Sequence, residues 1–91
     1  MISDPFFPTL TKLLRERGWT EQDGALHARH GSIWVDLSST WPSSLEEFRQ
    51  VIRGRMDRLS RYYAGELDNS GEKTLSDTSD LLEVLDTVLG P

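Results

Sequence analysis

The two histidines are the first residues to consider for metal chemistry, because imidazole is a common zinc ligand. His27 and His30 are the only histidines in the chain, and residues three apart on a strand point to opposite faces. The chain has no cysteine, which excludes disulfides, thiolate zinc sites and cysteine nucleophiles. We therefore interpret both histidines as ordinary surface or turn residues and expect no metal ion and no cofactor.

The polar segment at residues 66–77 partly follows the spacing of a calcium-binding loop. Oxygen-bearing residues occupy its first, third, fifth, ninth and twelfth positions, and Gly71 occupies the sixth. The departures are Glu66 in place of an aspartate, Lys73 in place of an apolar residue, and Asp77 in place of a longer, bidentate glutamate. The pattern favours a plain polar loop over a calcium site.

Serine, histidine and aspartate are all present, but no motif organises them for catalysis. The chain has no Gly-x-Ser-x-Gly turn and no glycine-rich phosphate-binding loop. Its 91 residues form one small domain, which leaves little room for a deep, water-free active site. We expect no enzymatic activity.

Five arginines in one segment invite a nucleic-acid interpretation, which the helical wheel weakens. Arg49 and Arg53 lie on one flank of an apolar stripe. Arg55 and Arg58 lie on the other flank, and Arg61 lies near the back. A surface that follows phosphates would gather these charges on one side, and the net charge of −5 opposes general nucleic-acid affinity. We favour a solvated helix whose arginine stems cover apolar neighbours.

The elements that hold these side chains begin with a helix and a small sheet. Residues 5–17 are predicted to form the helix, with Asp4 as its N-cap and Gly18 as its C-terminal stop. Residues 19–37 are predicted to form a β-hairpin or a three-strand meander, because the Asp-Gly pair at residues 23–24 is a turn signal.

Two tryptophans are candidates for contact with a partner. Trp34 would face the opposite side of its strand from Ile33 and Val35. Both faces of the sheet then carry apolar side chains, so the outer face is either covered by a helix or used as an interface. Trp34 is the best single interface candidate. Trp41 is a second candidate, although a core position that fixes the entry of the next helix is favoured for it.

The longest helix is predicted at residues 43–64. A capping box at its start is formed by Ser43 with Glu46 or by Ser44 with Glu47. Its apolar residues lie in a stripe about 80° wide. They are Leu45, Phe48, Ile52, Met56, Leu59 and Tyr63. We expect this helix to pack on the sheet as the centre of the core, with the other two helices at its flanks.

A mobile loop at residues 66–75 and a short acidic amphipathic helix at residues 77–89 complete the prediction. Asp80, Glu83 and Asp86 lie in one band opposite the apolar side chains of this helix. If the apolar side docks on the core, the band faces outward. We expect it to offer a directed negative surface, so that its acids cannot be assumed to neutralise the arginines of the long helix.

Together these patterns predict an α+β domain that is a small, cytoplasmic, non-enzymatic protein-binding module. It would be an adaptor, inhibitor or immunity-type protein, and its partner another protein with a basic surface. Partner contacts are assigned to Asp80, Glu83, Asp86, Trp34 and Trp41. Changing the three acids to lysine is expected to leave the fold intact and abolish partner capture.

Three alternatives stay open. The first is a nucleic-acid-associated regulator that uses the arginines of the long helix. The second is a small ligand-binding or enzymatic domain with a pocket between sheet and helices. The third is a homodimer formed through the sheet face or the long helix. No membrane partner is expected, because no apolar stretch approaches the roughly 20 residues that cross a bilayer.

Overall fold

A computed structural model describes residues 5–37, 44–62 and 69–90. The described elements follow the order helix, three strands, two helices, which confirms the predicted α+β class. They are α1 (Phe7–Glu16), β1 (Thr20–Gln22), β2 (Ala25–His27), β3 (Trp34–Asp36), α2 (Leu45–Tyr62) and α3 (Asn69–Leu89). In these ranges no helix is both long and apolar enough to cross a membrane.

Helix α1 ends in a Schellman motif that fixes the direction of the following chain. Gly18 has a φ of +96°, which suits a residue without a side chain. The Gly18 N–H donates to the Arg15 carbonyl at 3.0 Å, and the Trp19 N–H donates to the Leu14 carbonyl at 3.1 Å. The predicted stop at Gly18 is thus confirmed, and the motif brings Trp19 back against the core.

The start of α1 differs from the prediction. The helix begins at Phe7, and Phe6 occupies the N-cap position without a side-chain capping bond. The predicted N-cap, Asp4, lies outside the described residues. The anchoring of this end comes from packing, because Phe7 and Leu10 are buried in the core.

The sheet is an antiparallel meander in the order β1-β2-β3. Asp23 and Gly24 both have positive φ, 52° and 77°, which is the signature of a two-residue type I′ hairpin turn. In the β2–β3 pair, Leu26 lies opposite Val35, and both side chains are buried. The predicted three-strand arrangement and the inward direction of Val35 are therefore confirmed.

Helix α2 contributes mainly its first half to the core. The Glu47 N–H donates to the Ser44 hydroxyl at 3.1 Å, as the predicted capping box requires. Leu45, Phe48 and Ile52 are buried. The C-terminal half of the predicted apolar stripe is less buried, because Met56 and Leu59 are only half-buried. Tyr63, the last residue of the stripe, lies outside the described residues.

Helix α3 is much longer than predicted. It runs over 21 residues from Asn69, so the predicted loop at residues 66–75 is wrong from residue 69 onward and the predicted start at residue 77 is wrong. The calcium-loop and polar-loop interpretations fail over the same positions. Burial of Gly71 and Thr78 shows why, because tertiary packing of these first turns overrides their turn-forming composition.

The centre of the molecule is α3 and not α2. Leu81, Val84 and Leu85 are almost fully buried, and α3 packs against both α1 and α2. Helix α2 runs antiparallel to it, because Arg49 near the start of α2 meets Asp86 near the end of α3. The expectation that the long helix forms the centre with the others at its flanks is therefore wrong.

Candidate functional site: a groove beside Trp34

The acidic residues of α3 show which of the predicted contact residues remain available to a partner. Asp80 accepts a hydrogen bond from Arg17 Nη1 at 2.6 Å and another from the buried indole Nε1 of Trp19 at 2.8 Å. Arg17 also donates to Glu83 at 3.3 Å. The hydrogen bonds to Asp80 first, and then to Glu83, raise the pKa of the Arg17 guanidinium above its ordinary value. Asp80 therefore joins α3 to the end of α1.

Asp86 makes a similar link on the other side of α3. Arg49 Nη1 and Arg53 Nη2 both donate to Asp86 Oδ1, at 3.3 and 3.2 Å. Arg49 also donates to Glu46 and to the carbonyl of Gly90, and only 9% of its side chain is exposed. Arg49 and Arg53, at the start of α2, are thus paired with Asp86, one of the acids of the predicted outward band.

The predicted outward band of acids is therefore wrong for Asp80 and Asp86. The reason is Val84, which is only 1% exposed and lies beside Asp80 on the helix surface. Its burial turns Asp80 toward α1, while the long arginine side chains reach Asp86 from α2. Glu83 alone projects outward, with 65% of its side chain exposed. The role of the three acids in partner binding stays a prediction.

Asp77, one helical turn before Asp80, is a buried carboxylate with a structural role that the sequence did not indicate. Asp77 is 2% exposed, and it accepts hydrogen bonds from the backbone N–H of His30 and of Ser32, each at 3.2 Å. The Ser32 hydroxyl donates to it at 2.6 Å. Asp77 thereby fixes the β2–β3 connection, and with it the start of the strand that carries Trp34.

Trp34 is the one predicted contact residue among those described that presents exposed apolar surface. Its side chain is 60% exposed on the outer face of β3. The only ring packed on it among the described residues is that of His27, directly opposite on β2, with centroids 6.0 Å apart and planes tilted by 32°. This pairing also explains His27, which supports the indole. Trp41, the other tryptophan candidate, lies outside the described residues.

Beside Trp34 a groove of about 320 Å³ separates the end of the sheet from α2. Most of its lining is apolar. The lining residues are Ser32, Ile33, Trp34, Phe48, Val51, Ile52, Arg55 and Leu81. Two of them, Trp34 and Val51, are large apolar side chains that stay exposed. The chemistry of this site is recognition of apolar groups, because no carboxylate, histidine or lysine lines it within the described part of the chain.

Positive charge enters the groove from α2. Arg55 lines it, and the Nε atom of Arg55 is buried with no hydrogen-bond partner in the described part of the chain. Neither Arg55 nor Arg58 has a carboxylate within 4 Å among the residues described, whereas Arg61 pairs with Asp57. Of the five arginines of α2, only Arg55 and Arg58 have no carboxylate partner within the residues that the structure describes.

No grouping of three or more histidine, aspartate or glutamate side chains suited to a metal ion occurs within residues 5–37, 44–62 and 69–90. Comparison with known proteins gives no assignment, since no protein-family model, curated protein or solved structure matches the chain. Any function must therefore be argued from the groove and its charges.

Proposed function

We propose that the protein is a small protein-binding module that acts without catalysis, through Trp34 and the adjoining apolar groove. The observation that carries the proposal is a tryptophan with 60% of its surface exposed beside an apolar depression. Contiguous exposed apolar surface is uncommon on a monomer and marks interaction sites. Tryptophan is also the residue type most enriched among those that dominate binding energy.

The groove suits this role better than the acidic face does. Asp80 and Asp86 are engaged inside the molecule by Arg17, Arg49 and Arg53. A partner that took hold of these carboxylates would have to replace contacts that hold α3 to α1 and α2. Trp34 and Val51 are exposed apolar side chains. Covering them with a partner is favourable, because it removes apolar surface from water.

The proposal is tested by affinity capture from cells of the source organism, with three forms of the protein as bait. The wild type and Phe6→Ala should retain the same partner, while Trp34→Ala should lose it. Phe6 is the matched control, since it is an exposed aromatic residue that does not line the groove. Truncating a dominant interface tryptophan costs about 2 kcal/mol or more, a loss of roughly thirtyfold in affinity.

Two results would contradict the proposal. One is full capture by Trp34→Ala, and the other is equal loss with Phe6→Ala. Urea unfolding of each bait provides the folding control, because substitution of an exposed side chain should change the free energy of unfolding by no more than about 0.5 kcal/mol.

A further inference from the structure

The exposed side of α2 extends the groove and carries a pattern of its own. Val51, Arg55, Arg58 and Tyr62 follow one another at spacings of four, three and four residues, so they lie on one side of the helix. The strip from Val51 to Tyr62 is about 16 Å long at 1.5 Å per residue. Tyr62, at its far end, is 81% exposed.

We infer that this strip and the groove bind an acidic amphipathic helix of a partner protein. The inference rests on the proposed function and names the chemistry of its partner. Apolar side chains of the partner helix would enter the groove against Trp34 and Val51. Its carboxylates would pair with Arg55 and Arg58.

The charges argue for an acidic partner. The arginines at the start of α2 are consumed by Asp86 and Glu46, whereas Arg55 and Arg58 have no carboxylate within 4 Å among the described residues. The guanidinium of Arg55 is already partly removed from water at its buried Nε. A carboxylate from outside would complete this site by charge-assisted hydrogen bonds, which an arginine can make in pairs.

The shape argues for a helix. Recognition groups are spread along about 16 Å of α2, or three helical turns, from Val51 in the groove to Tyr62. This span is longer than a small ligand needs. Partner side chains spaced three and four apart would match the spacing on α2. Single-stranded nucleic acid is disfavoured, because the net charge of −5 and two available arginines give little attraction for phosphates.

Displayed helical peptides of about 18 residues, or roughly 27 Å, are the probe. Their apolar positions are randomised in a three–four pattern, and the flanking positions are fixed as glutamate in one library and lysine in the other. Both libraries are selected on the wild type, on Trp34→Ala, on the double variant Arg55→Glu/Arg58→Glu, and on Lys12→Glu. Lys12 is an exposed residue of α1 outside the groove, so its reversal tests the effect of added negative charge away from the groove, with half the charge change of the double variant.

Binders are expected from the glutamate library on the wild type and on Lys12→Glu. The double variant should bind these glutamate peptides at least about tenfold more weakly and should enrich the lysine library instead. Trp34→Ala should lose binders from both libraries. Circular dichroism and urea unfolding confirm that each variant is folded before selection.

Equal enrichment of both libraries through Trp34 would overturn the acidic chemistry and leave the proposed function standing. The absence of Trp34-dependent binders in both libraries would overturn the helix inference, and the capture experiment then judges the proposed function separately. Binding of a labelled single-stranded oligonucleotide that needs Arg55 and Arg58 would overturn the inference in favour of nucleic acid. Self-association that Trp34→Ala abolishes would overturn it in favour of a second copy of the chain.

Discussion

Replacing Asp77 by alanine should destabilise the protein strongly, although Asp77 does not itself line the proposed groove. The change removes a carboxylate that is 2% exposed and accepts three hydrogen bonds from the β2–β3 connection. Hydrogen bonds to a charged group contribute about 1.5–3 kcal/mol each. Two effects reduce the loss of stability. The free-energy penalty of burying the carboxylate disappears, and water can take its place at the backbone N–H of His30, because His30 is exposed.

We expect a net loss of about 2–4 kcal/mol, a large part of the 5–15 kcal/mol typical of a small domain. A second variant, Ser32→Ala, removes only the hydroxyl bond and should cost about 1.5–2 kcal/mol, the low end for a bond to a charged group. The double variant should be no less stable than Asp77→Ala alone, because the hydroxyl has lost its acceptor already. This non-additivity of the two free-energy changes tests the assigned role more directly than either single variant does.

Urea unfolding monitored by circular dichroism and tryptophan fluorescence measures these free energies. A loss of this size should lower the urea midpoint by about 2–4 M, because the slope for a domain of this size is about 1 kcal/mol per M, the low end of the usual range. Ser79→Ala, an exposed change two residues away, is the control. If Asp77→Ala stays within about 0.5 kcal/mol of the wild type, or if its effect and that of Ser32→Ala add fully, the assigned role is refuted.

Three further predictions separate residues that look alike in the sequence. Asp80→Ala should cost about 2 kcal/mol, because it removes the acceptor of a buried indole N–H as well as an ion pair, whereas Glu83→Ala should cost at most about 0.5 kcal/mol; equal losses in thermal unfolding would contradict this. Arg49→Ala should cost about 2–3 kcal/mol and the more exposed Arg53→Ala about 0.5 kcal/mol, and urea midpoints in the reverse order would count against the ranking. Gly54→Ala should stabilise the protein by about 0.5–1 kcal/mol, because the added Cβ would meet only the end of a flexible arginine at 3.6 Å; a lower melting temperature would disagree.

The parts of the fold that the sequence predicts well are those decided by local chemistry. Gly18 stops α1, and the Asp23-Gly24 pair forms a hairpin turn, because these positions need positive φ. The outward direction of Trp34 follows from strand alternation alone. None of these depends on what the distant parts of the chain do.

The predictions that are wrong concern residues whose conformation or burial depends on contacts with distant parts of the chain. The first turns of α3 contain residues that favour turns, and only their burial against the rest of the molecule keeps them helical. Asp77 reads as an ordinary surface acid until the β2–β3 connection is placed over it. Asp80 was misplaced because a wheel gives the apolar side of an isolated helix, whereas α3 has neighbours on two sides.

The groove could be predicted from the sequence only in part. Trp34 was found from alternation, but its neighbours Val51 and Arg55 come from another element and could not be joined to it by pattern. Nor does the sequence distinguish the engaged Arg49 from the available Arg55, since both flank the same apolar stripe. That difference depends on which side of α2 faces α3.

The central position of α3 has a consequence for how the chain folds during synthesis. The contact between Arg17 and Asp80 joins residues 63 positions apart, and closing a segment of that length costs roughly 3–4 kcal/mol of chain entropy. At about 5–20 residues per second, ribosomes need roughly one to five seconds to add the region that follows α2. Until then α1 lacks the helix against which it packs. The synthesis of α3 therefore sets the earliest moment at which α1 and α2 can pack against it.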